Sequence, residues 1–451
     1  MEKFGEPKIS RRTAIVTTAA VALSLAGCTS GGGAKVSSTN PQMITYWDTE
    51  TTSTRAPVIK TMIADFEGAN PTIKVTYVGL PSSSYQQKVD TAIATGSTPD
   101  VITTTPHDVS NWVAQNALEP LDTRFASGGW TDNISPSMVQ TARSFVGDGN
   151  LYIAPDGALA NALWLNLGAF NQAGVKVPTT WDEFFAAAKA LTHADKNKFG
   201  YVFRGGAGMF PQLLCMMYGQ SGVVGTFRGV TGFFDANGTS TLNDPRNVAA
   251  LERYVSLYGH QTATGDLTAD YVAMTAQFGA GTAAMMSHNL GSYQDNAKAL
   301  GAANILGVQP FPSEAGPVTE AGYSVTGNAI FKASKNKDAA WKFIEYFLSP
   351  EGNAYWNKEG GQLPSNLEVA KQPWLQDQQP MKAAIATFSD PKTVVLNEPW
   401  YLPEYDSIAK TQLEPEWQKV LQGRLTAKAF LDEAANSFTK AEAAYVKRNP
   451  K

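Results

Sequence analysis

Apolar and polar positions along this chain follow two alternating rhythms. Met43-Ile44-Thr45-Tyr46-Trp47 is a short apolar run that suits a buried strand. Val58, Ile59, Met62, Ile63 and Phe66 then recur at helical spacing, which predicts a helix from about residue 54 with Pro57 in its first turn. Asn70-Pro71 closes it, and residues 73–77 alternate as a second strand. Tyr85, Val89, Ala92 and Ile93 mark the next helix, and residues 100–103 the next strand. Strand, helix, strand, helix in that order implies an α/β fold whose sheet is mostly parallel and covered on both faces.

The rhythm resumes after Asn166. Thr180-Trp181-Asp182-Glu183 is a capping box, in which Thr180 accepts from the Glu183 amide while Glu183 reaches back. Phe184, Phe185, Ala188 and Leu191 form the stripe behind it. Later helices are expected over 247–258, 337–348 (closed by Pro350), 406–422 and 427–446, with Gly423 stopping the first of the last pair. Strand signals therefore fall in two clusters, and the C-terminus is largely helical.

At 451 residues the chain exceeds one hydrophobic core and fits two. A composition of 43% hydrophobic and 17% charged residues excludes a disordered, collagenous or coiled-coil chain. A net charge of −4, spread along the chain, offers no basic patch for nucleic acid. Two cysteines and four histidines argue against a disulfide framework and against a metal cluster. No phosphate-cradling Gly-x-x-x-x-Gly-Lys-Ser/Thr occurs, and no cofactor is expected.

The N-terminus is more informative. Lys3, Lys8, Arg11 and Arg12 outweigh Glu2 and Glu6 ahead of an apolar run from Thr13 to Leu25. A basic flank, a short apolar segment and then small residues predict a secretory signal over residues 1–27, too short to span a bilayer. Its ending, Leu25-Ala26-Gly27-Cys28, resembles the bacterial lipobox, which implies that Cys28 receives a diacylglycerol and becomes the mature N-terminus. Two acyl chains hold a soluble body at a membrane where one does not. Ser10-Arg11-Arg12 also partly resembles a twin-arginine export signal. Residues 28–42, rich in Ser, Thr and Gly, read as a flexible tether. Cys215, the one thiol left after lipidation, is expected to be buried and inert.

The segments add up to a resemblance. Ile44-Thr45-Tyr46-Trp47-Asp48, then Phe66-Glu67-Gly68-Ala69-Asn70-Pro71, then Gly96-Ser97-Thr98-Pro99-Asp100-Val101 resemble the opening of the family 1 extracellular solute-binding proteins, the sugar-binding lipoproteins of ATP-binding-cassette importers. Val177-Pro178-Thr179-Thr180-Trp181, Gly281-Thr282-Ala283-Ala284-Met285-Met286, Ala340-Trp341-Lys342-Phe343 and Leu421-Gln422-Gly423-Arg424 are similar to its later motifs, in order. The resemblance implies a two-lobed, periplasmic-binding-protein-like fold with ligand in an interlobe cleft and a hinge of several crossings, near 158–163, 323–328 and 361–364. One lobe would comprise 41–158 plus 327–362, the other 159–326 plus 363–451. It also implies a monomeric, non-enzymatic receptor on the extracellular face of the membrane, or in the periplasm, that delivers an oligosaccharide to ABC permease subunits.

A neutral sugar is best held by planar polar groups and by aromatics stacked on its C–H faces. The loops after strands nominate Trp47, Asp48 and Glu50; the helix opening at residue 84 nominates Ser84 and Gln86. The family's ligand-reading positions imply Thr104 after the Pro-Asp-Val strand, Asp156, Gly322 and Tyr323 at a hinge entry, and Trp400, Tyr401 and Glu404 in a late aromatic loop. Arg204, a charge beside glycines, either bridges hydroxyls or pairs with an acid, and Phe210 is either core or cleft. Where the family carries Asn-Gly-Pro-Trp, this chain has Ser287-His288-Asn289-Leu290-Gly291; His288 and Asn289 are expected to replace the missing stacking platform, with Tyr293 in support. The competing readings are the same fold binding a polyamine or metal, and an extracellular glycosidase using two carboxylates across the cleft.

Overall fold

The stretches that the hydrophobic rhythm marks as strands near the start of the body do pair with one another. In the computed structural model, which describes residues 41–49, 51, 55–81, 84–104, 106–228, 230–320 and 324–449, β1 (Gln42–Asp48), β2 (Ile73–Gly79) and β3 (Val101–Thr104) run parallel in the order β2-β1-β3. Tyr46 lies opposite both Tyr77 and Val101. The intervening helix Arg55–Ala69 buries Ile59, Met62, Ile63 and Phe66, the expected stripe. Phe66 and Tyr46 both meet Phe343 edge-on, at centroid distances of 5.1 and 5.2 Å. Phe343 belongs to the helix Lys337–Leu348, at the bounds its periodicity predicts. Such aromatic pairs add about 0.5–1.5 kcal/mol each beyond the area they bury.

β4 (Ala154–Leu159) and β5 (Asn161–Asn166) are separated by the buried Ala160 alone, so one extended run serves two sheets. The hairpin β6 (Gly225–Phe227) and β7 (Val230–Gly232) follows, then β8 (Met285–Asn289), β9 (Ile305–Val308), β10 (Thr319–Glu320), β11 (Ser324–Ile330), β12 (Leu363–Pro364) and β13 (Val394–Val395). The first sheet has the order β12-β4-β11-β3-β1-β2 and the second β8-β5-β9, while β10 pairs with β13. Two lobes result, each built on one of the two larger sheets.

The expectation of a mostly parallel sheet is corrected here. Within the two larger sheets only β2-β1-β3 is parallel; β11 is antiparallel to β3 and β4, β12 to β4, and both pairs of the second sheet are antiparallel, while the short β10-β13 pair is parallel. Parallel neighbours need a crossover between consecutive strands. β4, β11 and β12 instead lie where the chain passes between the sheets, so that traffic sets their direction.

Thr180 caps its helix as expected, accepting from the Glu183 amide at 3.2 Å, but the Glu183 carboxylate takes the amide and hydroxyl of Thr179, both at 2.7 Å. The helix expected over 406–422 is a π-helical turn, Ser407–Gln412, running into an α-helix, Leu413–Leu421. The helix Met209–Ser221 was invisible to periodicity because it is buried on nearly every side and carries no stripe. In the second lobe Phe203 stacks on both Tyr254 and Trp417, with centroids 4.3 and 5.7 Å away, and those two rings lie 6.5 Å from each other.

Candidate functional site

Side chains alternate along β1, so Tyr46 and Asp48 share one face and Trp47 takes the other. Asp48 is fully buried, and a buried carboxylate needs a counter-charge. Arg55, at the start of the following helix, supplies it: Nε donates to Asp48 at 2.9 Å, while the Tyr77 hydroxyl donates to the other oxygen at 3.1 Å. The Arg55 guanidinium lies 4.5 Å from the ring centroid of Trp356, on the helix Pro350–Gly360. Both residues face a cavity of about 740 Å³.

Residues of the second lobe and the C-terminal segment form the other wall. The Arg204 Nε donates to the Ala207 carbonyl at 2.9 Å, wrapping the loop around its own guanidinium. Gly208 has φ +74°, and a Cβ there would stand 2.5 Å from that guanidinium, so the turn and the close approach both demand glycine. Burial pulls the Arg204 pKa down, opposed by Asp270, Tyr271 and Glu414. The helix Met209–Ser221 contributes Phe210, Gln212 and Cys215 to the wall. Gln212 Nε2 donates to the Ser287 carbonyl at 2.7 Å, fastening that helix to β8. β8 delivers His288 and Asn289. His288 lies edge-on to Tyr271 at 4.2 Å; burial and the charge of Arg204 push its pKa down to about 3, so its imidazole is neutral at physiological pH.

The segment after β13 adds Glu398 and Trp400, anchored where the Asn397 amide donates to the Thr231 carbonyl at 2.8 Å. Trp400 packs on Tyr405 with centroids 4.5 Å apart. The Tyr405 hydroxyl donates to Glu398, whose carboxyl burial pushes up to about 8. Burial also drives the Cys215 thiol well above its ordinary value, which leaves it unreactive.

Of the residues nominated from sequence, Arg204, Phe210, His288, Asn289 and Trp400 are brought together on this cavity. Others are placed elsewhere. Trp47 packs under the Lys88 ammonium, 5.0 Å from its ring. Asp48 serves Arg55 instead of facing the cavity. Ser84 is exposed at a helix start, and Gln86 donates to Asp406 at 3.0 Å. Thr104 is fully buried opposite Gly327 in the sheet.

Asp156 lies within β4 and not on a loop. It accepts from the Thr326 hydroxyl at 2.9 Å and the Asn328 amide at 2.8 Å, while its carbonyl accepts from Asn353 and Asn357. Burial pushes its carboxyl up to about 6, against the Thr326 hydrogen bond and the charge of Arg55. Tyr401 turns away from its neighbour Trp400 and donates to Glu442 at 2.5 Å. Glu404 pairs with Arg448 at 2.8 Å, and Tyr293 lies against Trp164. Glu50, Gly322, Tyr323 and Cys28 lie outside the described residues.

Sequence reasoning missed Arg55, Trp356, Glu398, Tyr405 and Glu414, all on the wall. The pair Glu398 and Tyr405, flanking Trp400 in one short aromatic loop, was a usable signal. Arg55 had none, because the ring it meets, Trp356, comes from the remote helix Pro350–Gly360.

Comparison with known proteins places this geometry. The family model for the bacterial extracellular solute-binding proteins matches residues 49–354. A Brucella abortus relative is 27% identical over 384 residues, spanning 82% of this chain and 86% of its own. Among solved structures, an ABC substrate-binding protein of Listeria monocytogenes in complex with cycloalternan is similar at a TM-score of 0.75 and 20% identity, covering 89% of this chain and 99% of that one. Maltose-bound T. maritima MalE3 is similar at 0.74 and 21%, covering 88% and 99%.

Proposed function

The chain belongs to the bacterial extracellular solute-binding protein family, and we propose that it captures a neutral carbohydrate, an oligosaccharide, between its lobes and hands it to an ABC permease. One observation carries this reading: the cavity wall has no excess of negative charge. Arg55, Arg204, Lys298 and Lys410 face Asp295, Glu359, Glu414 and the buried Glu398, whose carboxyl is pushed up to about 8, interleaved with Trp356, Tyr271 and Trp400. A polyamine calls for an excess of acids. A metal calls for clustered ligands, and no such group of three His, Cys, Asp or Glu occurs among the described residues. A polyol calls for fixed donors and acceptors beside aromatic faces, in a cavity of this order of size. The sugars named for the Listeria and T. maritima proteins support the same ligand class.

In this reading the lobes comprise 41–158 with 327–362 and 159–326 with 363–451. The lipobox ending at Cys28 supports attachment to the outer face of the membrane by diacylglycerol, with residues 28–42 as tether. Shifting open to closed from 99:1 to 1:99 takes about 5.5 kcal/mol of differential affinity, against about 8.2 kcal/mol for micromolar binding. Most of the binding energy must then come from contacts completed on closing. Arg55 and Trp356 on one side and Arg204, His288 and Trp400 on the other allow one ligand to make them.

The test is a thermal-shift panel of mono-, di- and trisaccharides, polyamines and divalent metals on the purified protein. Saccharides alone are expected to raise the midpoint, by the equivalent of about 2.7 kcal/mol at a hundredfold excess over Kd. A response to polyamines or metals with silent sugars overturns the reading. Release of smaller sugars from an oligosaccharide would make the protein a glycosidase.

A further inference from the structure

We propose that Glu398 is a specificity-determining residue: tied at one carboxyl oxygen by Tyr405, it carries a proton on the other and donates it to a hydroxyl or ring oxygen of the bound saccharide. This rests on the saccharide reading above and deepens it. Glu398 lines the cavity yet is only 8% exposed, and the Tyr405 hydroxyl is the one hydrogen-bond partner of its side chain among the described residues. No ion pair joins Glu398 to a cation among those residues; the Arg55 guanidinium is spent on Asp48 and the Lys410 ammonium on Asp406, at 3.1 Å. An ionised oxygen left without a donor in so dry a place is costly, whereas a carboxylic acid supplies one donor and keeps acceptor capacity.

The groups that face Glu398 reinforce this. Cys215 and Tyr218 on the helix Met209–Ser221, Tyr405 beside it and Asp406 beyond are neutral or acidic, and Glu320 on β10 acts on the same Cys215 thiol. Burial places the Glu398 carboxyl at about 8; Asp156 at about 6 and His288 at about 3 titrate below it, Cys215 and Tyr405 well above.

Because the ligand holds the protonated form, Kd is flat on the acid side and rises about tenfold per pH unit once the free protein's Glu398 ionises. Isothermal titration calorimetry with maltose, laminaribiose and maltotriose from pH 6 to 9.5 reads this directly. In E398Q, which keeps a donor and an acceptor but cannot ionise, the slope is expected to vanish. A ligand-free readout accompanies it. The folded state holds this proton up to about pH 8 while the unfolded chain releases it near 4.5, so the melting temperature of the wild type falls behind that of E398Q across that window and the gap then levels off. A wild-type Kd that is flat or improves toward alkaline pH overturns the proposal while sparing the saccharide reading. A wild type silent to every probe overturns that reading and this proposal with it.

Discussion

Asp156 and Glu398 are both carboxyl groups withdrawn from water, and both are pushed upward by burial, to about 6 and about 8. Their surroundings are opposite. Asp156 receives Thr326 and Asn328 on its carboxylate while Asn353 and Asn357 claim its carbonyl, so three segments of the first sheet and its covering helix are stitched through one residue. Among the described residues, Glu398 receives Tyr405 alone. A buried acid whose valences are filled by its own chain holds the fold together. One with a valence to spare, on a cavity wall, is available to a visitor. Burial and charge do not separate the two; the count of partners does.

Asp156→Ala should break that contrast most severely. It strands the Asn328 amide, while the Thr326 hydroxyl keeps Gln362 as an acceptor at 2.8 Å, and the expected loss is on the order of 1–3 kcal/mol in urea unfolding. A normal unfolding curve with abolished sugar binding would move Asp156 into the site. Arg204→Ala sharpens the contrast from the other side: saccharide affinity should drop about tenfold or more, with a far smaller change in unfolding midpoint.

The pH dependence of Asp156 follows from its raised value. Its contribution to stability is fully present below about 3.8 and is lost as pH rises through about 6, so wild-type stability should decline relative to Asp156→Asn between those limits. Equilibrium unfolding at pH 4, 5 and 6.5 reads the slope; a constant difference would mean that the group titrates normally. The smallest effect is expected for Gln86→Ala. It removes one hydrogen bond to Asp406 between residues 320 positions apart, worth about 1 kcal/mol, and should weaken every saccharide alike by up to about fivefold. Selective loss of one sugar would place Gln86 against ligand instead.

Much of the first lobe was legible because its elements are local. The stripe of Ile59, Met62, Ile63 and Phe66, the strands beside it and the helix Lys337–Leu348 each announce themselves within a few residues. What failed were decisions made by partners that no local pattern announces. Asp48 reads as a cleft acceptor until Arg55 is seen to hold it, and Asp156 reads as a ligand contact until β11 and the helix Pro350–Gly360 close around it. The helix Met209–Ser221 was lost for a different reason, since a segment buried all round shows no periodicity. The cavity itself was half visible: Arg204, His288 and Trp400 are conspicuous residue types in loops and strand ends, whereas Trp356 and Glu398 become notable only in company.

The lone Ala160 between β4 and β5 constrains how such a protein can diversify. Strand side chains flip with every added residue. An insertion of one at this seam would exchange the two faces of the downstream strand, both of them buried, and set Trp164 where Leu163 and Leu165 now pack. Length changes are tolerable in the outlying loops but not here, so new ligand preferences must arise by exchanging wall residues and never by lengthening this link.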